Sequence, residues 1–294
     1  MVEIVYVNGS LVKAKEAGIS AFDQGFLYGY GLFETMRAYN GKIFQMERHI
    51  NRLKSSAAFI GLGTAMDKFD VTGACMETLE ANSLKDARIR FTVTGGEADA
   101  YPWAVKSVKP TIVITARPVT AIPNEKYRQG YKICLASVRR SKQSILSHIK
   151  STSYIGSTLA KIEAAGQGAD EALLLNEDGY LTEGGSSNIF FVRSSRLVTP
   201  SIQSGILPGI TRELVIELAE EQEIGITEGT VGVAVIRQCE EAFLTGSVME
   251  IMPVTEAIDK TGRAVIIGSG KPGPVTLKLM AAYRNRVRKE TDDG

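Results

Sequence analysis

The sequence predicts an α+β fold arranged as two domains. Helical and strand periodicities follow one another without strict alternation. Several strand pairs are joined by tight Asn-Gly or Asp-Gly turns, which favours antiparallel neighbours over a doubly wound parallel sheet. The 294 residues suffice for two domains of ordinary size, each with its own core.

The first element is a hairpin. Ile4 to Val7 and Leu11 to Lys13 flank Asn8-Gly9, a pair that tolerates the positive φ angles of a type I′ turn. Met46, Ile50, Leu53, Ala57 and Ile60 recur at helical spacing, with Gly61 as a stop, and a second helix follows over Val71 to Leu79. Arg88 to Thr94 and Thr111 to Thr115 are predicted strands. The stretch from Arg117 to Glu125 holds Pro118 and Pro123 and has little periodicity. It divides the chain into an N-terminal domain over 1–118, a linker over 119–126 and a C-terminal domain over 127–294. Tyr131 to Val138 restarts strand character, and Tyr154 to Ala164 reads as a helix with Ile155, Leu159 and Ile162 on one face. Glu171 to Leu175 and Tyr180 to Thr182 flank Asp178-Gly179 as a second hairpin, and Asn188 to Val192 is a further strand. A helix over Thr211 to Glu223, a strand over Glu241 to Thr245 and a final helix from Pro274 to Val287 complete the pattern.

Composition narrows the function. A formal net charge of +1 gives no long-range attraction to nucleic acid or an anionic membrane. No apolar run approaches the roughly 20 residues that span a bilayer. The N-terminus lacks a basic start and an apolar core, and Cys75, Cys134 and Cys239 are odd in number and widely spaced. Both features favour a reducing, cytoplasmic setting. With only His49 and His148, and no cluster of ligands, no metal site is expected. Gly29-Tyr30-Gly31 lacks the third glycine of a dinucleotide fingerprint. Gly268-Ser269-Gly270-Lys271 runs into Pro272 and lacks the phosphate-loop spacing.

Four separated segments carry chemistry jointly: Ile149-Lys150-Ser151-Thr152-Ser153-Tyr154, Leu181-Thr182-Glu183-Gly184-Gly185-Ser186-Ser187-Asn188, Gly205-Ile206-Leu207-Pro208-Gly209-Ile210-Thr211-Arg212, and Leu244-Thr245-Gly246-Ser247-Val248-Met249-Glu250-Ile251. Taken singly, each has a bland reading as a solvated charge, a turn or a capped helix. With Phe22-Asp23-Gln24-Gly25, Tyr28-Gly29, Phe33-Glu34 and His49-Ile50-Asn51-Arg52-Leu53 ahead of them, the set resembles the fold type IV pyridoxal-phosphate enzymes over nearly the whole chain. That family includes branched-chain and D-amino acid aminotransferases, (R)-selective amine transaminases and aminodeoxychorismate lyases.

The resemblance implies a small N-terminal α/β domain, a larger C-terminal domain and pyridoxal 5′-phosphate between them. Lys150 would carry the cofactor as a Schiff base and move the substrate's α-proton. Glu183 would face the pyridine nitrogen. Arg52, Ile210, Thr211 and Ser247 would bind the phosphate, and Tyr154 would neighbour the ring's 3-oxygen. Tyr28, Phe33, Arg37, Arg90, Gly246 and Val248 fall on the substrate side, with Arg37 and Arg90 as carboxylate contacts. Arg139 and Arg140 are weaker candidates. At least a homodimer is implied, with Tyr28 and the loop near Tyr101 and Trp103 reaching the partner. Each role has a physical basis. A Schiff-base lysine must shed its proton, through burial or nearby positive charge. A carboxylate at the ring nitrogen strengthens the electron sink. Arginine offers a rigid fork of donors to a dianionic phosphate.

Within the family the motifs point in more than one direction. The turn Val93-Thr94-Gly95-Gly96-Glu97 lacks the arginine typical of D-amino acid aminotransferases. Branched-chain enzymes typically carry Tyr-x-Arg on this strand, and here Arg88 replaces the tyrosine of Arg88-Ile89-Arg90. Phe33-Glu34-Thr35-Met36-Arg37 and Ser247-Val248 resemble some lyases, whereas Gly246 and the run from Tyr154 to Glu163-Ala164 resemble aminotransferases. The resulting expectation is ping-pong transamination between a small, branched-chain or aliphatic amino acid and 2-oxoglutarate. The alternatives are a 4-amino-4-deoxychorismate lyase releasing pyruvate and 4-aminobenzoate, and an (R)-amine or D-amino acid transaminase.

Overall fold

A computed structural model of the chain describes residues 2–97, 109–259 and 261–292. Tyr101 and Trp103, the expected partner-reaching residues, lie outside them. The chain forms two compact units. The first comprises Met1–Thr120, Ile149–Tyr154 and Val287–Gly294, and the second Ala121–His148 and Ile155–Arg286. Contacts therefore place the Lys150 segment and the last turns of the chain with the first unit. A short excursion of this kind leaves no mark on the periodicity that suggests a boundary at 119–126.

In the first unit, the described residues form a six-stranded sheet from β1 (Ile4–Val7), β2 (Ser10–Lys13), β3 (Gly31–Tyr39), β4 (Lys42–Ile43), β5 (Ala87–Thr94) and β6 (Thr111–Pro118). Its order is β2-β1-β6-β5-β3-β4, and its pairs are antiparallel. Asn8 and Gly9 turn β1 into β2 at φ 48° and 98°. The helix α1 (Gln24–Tyr28), capped by Asp23, precedes β3, and α2 (Met46–Phe59), α3 (Gly63–Asp67) and α4 (Val71–Ala81) follow β4. Alternation along the strands sorts the side chains. Leu32, Met36, Ile89, Phe91, Val93 and Ile114 pack with Leu53, Ala57 and Leu79 of the helices into one core. Phe33, Arg37, Arg88 and Arg90 occupy the other face. At its start β3 gains a further neighbour. Phe33 N donates to Lys150 O at 2.9 Å, Thr152 N donates to Gly31 O at 2.9 Å, and Leu32 bridges Ser151. Gly31 permits this layering, since a Cβ there would lie 2.6 Å from Val93 O.

In the second unit, the described strands are β7 (Tyr131–Arg140), β8 (Glu171–Asn176), β9 (Leu181–Gly184), β10 (Asn188–Arg193), β11 (Arg196–Pro200), β12 (Ile226–Gly229), β13 (Glu241–Gly246), β14 (Glu250–Ile258) and β15 (Ala264–Ile266). They form a mixed sheet of order β12-β11-β10-β13-β14-β7-β8-β9, with β15 on β14. The parallel pairs are β11–β12, β14–β7 and β7–β8. Its helices are α5 (Asn124–Gln129), α6 (Ile155–Gly166), α7 (Ile210–Glu221) and α8 (Val235–Gln238). A final helix, α9 (Pro274–Thr291), ends among first-unit residues. Among the described residues no helix is long and apolar enough to cross a membrane.

Ile155, Leu159 and Ile162 share one face of α6, as their spacing predicts, and that face is the outward one. Ile155, Leu159 and Ile162 are exposed, and the small residues Ser157, Ala160 and Ala164 are buried. Ala160 and Ala164 pack with Cys134, Ala172 and Leu174 of β7 and β8, where close approach favours small side chains over large ones.

Candidate active site

On the core side of the first sheet, β3 and α2 bring together a buried ionic group. Glu34 points from β3 toward α2, where His49 and Arg52, three residues apart, share a stripe. Arg52 donates to Glu34 twice, Nε to Oε1 at 2.7 Å and Nη2 to Oε2 at 2.6 Å, and His49 Nδ1 lies 2.8 Å from Oε2. Glu34 and His49 are each 2% exposed and Arg52 10%. Burial alone would raise the carboxyl's pKa, but Arg52 and His49 outweigh it and hold Glu34 well below the usual carboxylate range. His49 is displaced below its ordinary value, chiefly by burial, with Glu34 opposing and Arg52 and Lys150 assisting. A neutral imidazole that donates from Nδ1 satisfies both directions.

The opposite face centres on Phe33. Lys150 Nζ lies 4.7 Å from its ring centroid and the Arg90 guanidinium 3.8 Å, and Tyr154 meets it edge-on at 5.4 Å. Cations over an aromatic face are held by its quadrupole. Arg37 lies over Tyr39 at 4.4 Å. Tyr28 is exposed at the end of α1.

In the second unit, Glu183 sits where β9 carries an extra residue. Leu173 pairs with Gly184 and Leu175 with Leu181, so three steps on β9 match two on β8. Such bulges re-aim side chains. The neighbouring β7 is irregular between Leu135 and Arg139, just before Arg140. The two re-aimed residues meet as an ion pair, Arg140 Nη2 to Glu183 Oε1. The other oxygen, Oε2, accepts from Asn188 Nδ2 at 3.1 Å and from Leu207 N at 3.0 Å. Asn188 Nδ2 also donates to Leu207 O at 3.0 Å, which fastens the 207 turn to β10. The next residues enter α7. Its N-cap, Gly209, provides no side-chain cap to the backbone N–H groups at Ile210 and Thr211, both buried. Gly246, Ser247 and Val248 form the half-buried turn from β13 to β14.

The predicted residues thus fall into two sets. Phe33, Arg37, Arg52, Arg90, Lys150 and Tyr154 belong to the first unit, and Glu183, Ile210, Thr211, Gly246, Ser247 and Val248 to the second. Glu34 and Asn188, which partner these groups, had no role assigned from sequence, and Arg140, a weaker candidate for a substrate contact, pairs instead with Glu183. Glu34 and Asn188 were visible inside the quoted motifs, but nothing in a linear pattern says which charges meet.

Each set by itself holds groups of a kind that a phosphate-bearing ring with a protonated nitrogen requires: a lysine amine against an aromatic ring and a preset arginine in the first unit, and an oriented carboxylate and an uncapped helix start in the second. The family model for amino-transferase class IV matches residues 31–257. A Methanocaldococcus jannaschii protein provisionally assigned as a branched-chain-amino-acid aminotransferase is 39% identical over 96% of this chain and 95% of its own. The aminodeoxychorismate lyase of Bacillus subtilis is 31% identical, covering 97% of this chain and 95% of its own. The branched-chain amino acid aminotransferase of Escherichia coli superposes with a TM-score of 0.88 at 27% identity, over 100% of this chain and 97% of that one. The chain belongs to the class IV aminotransferases, and with them it is an enzyme dependent on pyridoxal phosphate.

Proposed function

We propose that the chain transfers amino groups between a branched-chain or aliphatic L-amino acid and 2-oxoglutarate, with Lys150 as the residue that holds the cofactor covalently. The observation that carries this reading is the Phe33 cluster, which groups the lysine amine with Arg90 and Tyr154. When bound, pyridoxal phosphate supplies the electron sink that lets the substrate's α-C–H bond ionise. Lys150 Nζ then takes the α-proton as a general base. Glu183, its orientation set by Arg140, Asn188 and Leu207 N, keeps a proton on the ring nitrogen. Arg52, held through Nε and Nη2 by Glu34, would be positioned to meet the phosphate. Backbone at Ile210 and Thr211 and the Ser247 hydroxyl would complete the phosphate contacts, and Tyr154 would neighbour the 3-oxygen. Arg90 and Arg37 receive the substrate's α-carboxylate. Gly246 and Val248, with Phe33 and Tyr28, bound its side chain.

Three buried free cysteines fit a reducing, cytoplasmic setting. The exposed Phe22, Phe26, Leu27 and Tyr28 on one unit, and Ile155, Leu159 and Ile162 on the other, fit a homo-oligomer. Pyruvate release from aminodeoxychorismate is the second reading, favoured by the Phe33-Glu34-Thr35-Met36-Arg37 stretch and by the Bacillus subtilis relative.

Borohydride reduction of the holoenzyme, followed by peptide mapping, is expected to find the cofactor on Lys150. Lys150→Ala is expected to lose that adduct and about a thousandfold or more of turnover. An adduct elsewhere, or turnover kept in the variant, contradicts the assignment.

A further inference from the structure

The second unit buries a carboxylate that none of the roles above uses. Glu171, at the start of β8, is 2% exposed. Its Oε1 accepts from Ala172 N at 3.0 Å, and its Oε2 accepts from the Ser186 and Ser187 hydroxyls at 3.2 and 3.3 Å. Its ion-pair partner among the described residues is Lys161 of α6, with Nζ 4.0 Å from Oε2 and a side chain 46% exposed. Taking a carboxylate out of water is costly, and one long contact to a half-exposed lysine offsets little of that cost. Both serines belong to the turn 184–187 that joins β9 to β10. The same turn separates Glu183 from Asn188, whose amide meets the Glu183 carboxylate at 3.1 Å. It closes through Gly184 N to Ser187 O at 2.6 Å and rests on β8 through Gly185 N to Ala172 O at 3.1 Å. Two successive glycines give such a turn no stiffness of its own. Side chains are excluded by close approach: a Cβ on Gly184 would lie 2.1 Å from Ser187 Oγ, and one on Gly185 3.0 Å from Glu171 Oε1. The turn is therefore held from outside, by Glu171.

An ionised carboxylate only accepts, so both serine hydrogens point to it and one oxygen ties two consecutive residues. We propose that Glu171 is a positioning residue: it fixes the 184–187 turn, and through that turn the geometry in which Asn188 meets Glu183, so that the Glu183 carboxylate keeps its direction. The proposal rests on the reading of Glu183 as the partner of the cofactor's ring nitrogen, and deepens it. In this role Glu171 touches neither cofactor nor substrate. Its loss weakens the ring-nitrogen contact selectively, because a hydrogen bond is directional and the other groups of the site stay in place.

The experiment reconstitutes the full-length apoenzyme with pyridoxal 5′-phosphate and, separately, with its analogue carrying C–H in place of the ring nitrogen. The ratio of the two Kd values reads the nitrogen contact, since every other contact is common to both. Wild type is compared with Glu183→Gln, Glu171→Leu, Glu171→Gln and the double variant Ser186→Ala/Ser187→Ala. Glu241→Gln is the control, a buried carboxylate of the same unit that accepts from Val275 N and Thr276 N at the start of α9. Preference for the natural cofactor is expected to fall about tenfold in Glu171→Leu and in the serine pair, and to recover partly in Glu171→Gln, whose amide oxygen still accepts. It is expected to hold in Glu241→Gln, whatever that variant loses in melting temperature. A preference that falls in Glu183→Gln but holds in Glu171→Leu or in the serine pair overturns the proposal, as does an equal fall in Glu241→Gln. If Glu171→Leu does not fold, the serine pair decides alone. A preference unchanged in Glu183→Gln removes the ring-nitrogen reading itself, and the proposal with it.

Discussion

Each unit contains a carboxylate held by an arginine, and the two pairs are built for different work. Glu34 is sealed: both of its oxygens face Arg52, His49 adds a third donor, and all three side chains are almost entirely buried. Glu183 is held more loosely by charge and more tightly by direction. One oxygen meets Arg140, itself 21% exposed, and the other is fixed by Asn188 and a backbone N–H. A sealed pair fixes the arginine and stiffens the contact between β3 and α2. A directed pair presents its carboxylate. On the proposed function, the same chemistry contributes mainly to holding in one unit and mainly to reactivity in the other.

Breaking the sealed pair should have the largest effect on stability. Glu34→Gln leaves Arg52 buried without its counter-charge, a change that costs about 3–5 kcal/mol in such sites. Urea denaturation of the apoenzyme checks this, and a loss below about 1 kcal/mol would erase the distinction between the pairs. Acid should act through the same residues. His49 and Glu34 both have folded pKa values below their ordinary ones, so the unfolded chain binds protons first. Their stabilisation is full above those ordinary values. It is lost as pH falls below 6.5 for His49 and below 4.5 for Glu34. Melting temperature should therefore drop on acidification in the wild type, and the part below about pH 4.5 should be missing in Glu34→Gln.

Glu183→Gln should do the reverse, lowering kcat about a hundredfold while costing less stability than Glu34→Gln. Equal stability losses with unchanged turnover would make Glu183 a second sealed pair. The smallest effect belongs to Asn188→Ala, which removes one orienting donor and should lower kcat about tenfold. No change there would mean that Arg140 and Leu207 N suffice.

Local chemistry was legible in the sequence and long-range geometry was not. The Asn8-Gly9 hairpin, the α2 stripe and the Asp178-Gly179 hairpin each follow from turn residues or period. The strand β3 did not stand out, because its first four residues are all buried and Glu34 interrupts the apolar run. The strand β14 begins at Glu250 with φ 61° and contains Pro253, two features that argue against a strand. The buried face of α6 was not legible, because periodicity finds apolar residues and not the small ones that let a helix approach a sheet closely. Of the proposed site residues, Lys150 and Glu183 lie in motifs that can be read directly. The meeting of Glu183 with Arg140 depends on irregularities in β9 and β7, which no spacing rule anticipates.

The most direct test is a half-reaction. L-leucine is added to purified enzyme loaded with pyridoxal phosphate while the visible band of the cofactor and the appearance of the 2-oxo acid are followed together. The account predicts that the band disappears as one equivalent of oxo acid forms, and that 2-oxoglutarate restores it. A band that persists with L-leucine and with every other amino donor, while aminodeoxychorismate yields pyruvate, would contradict it.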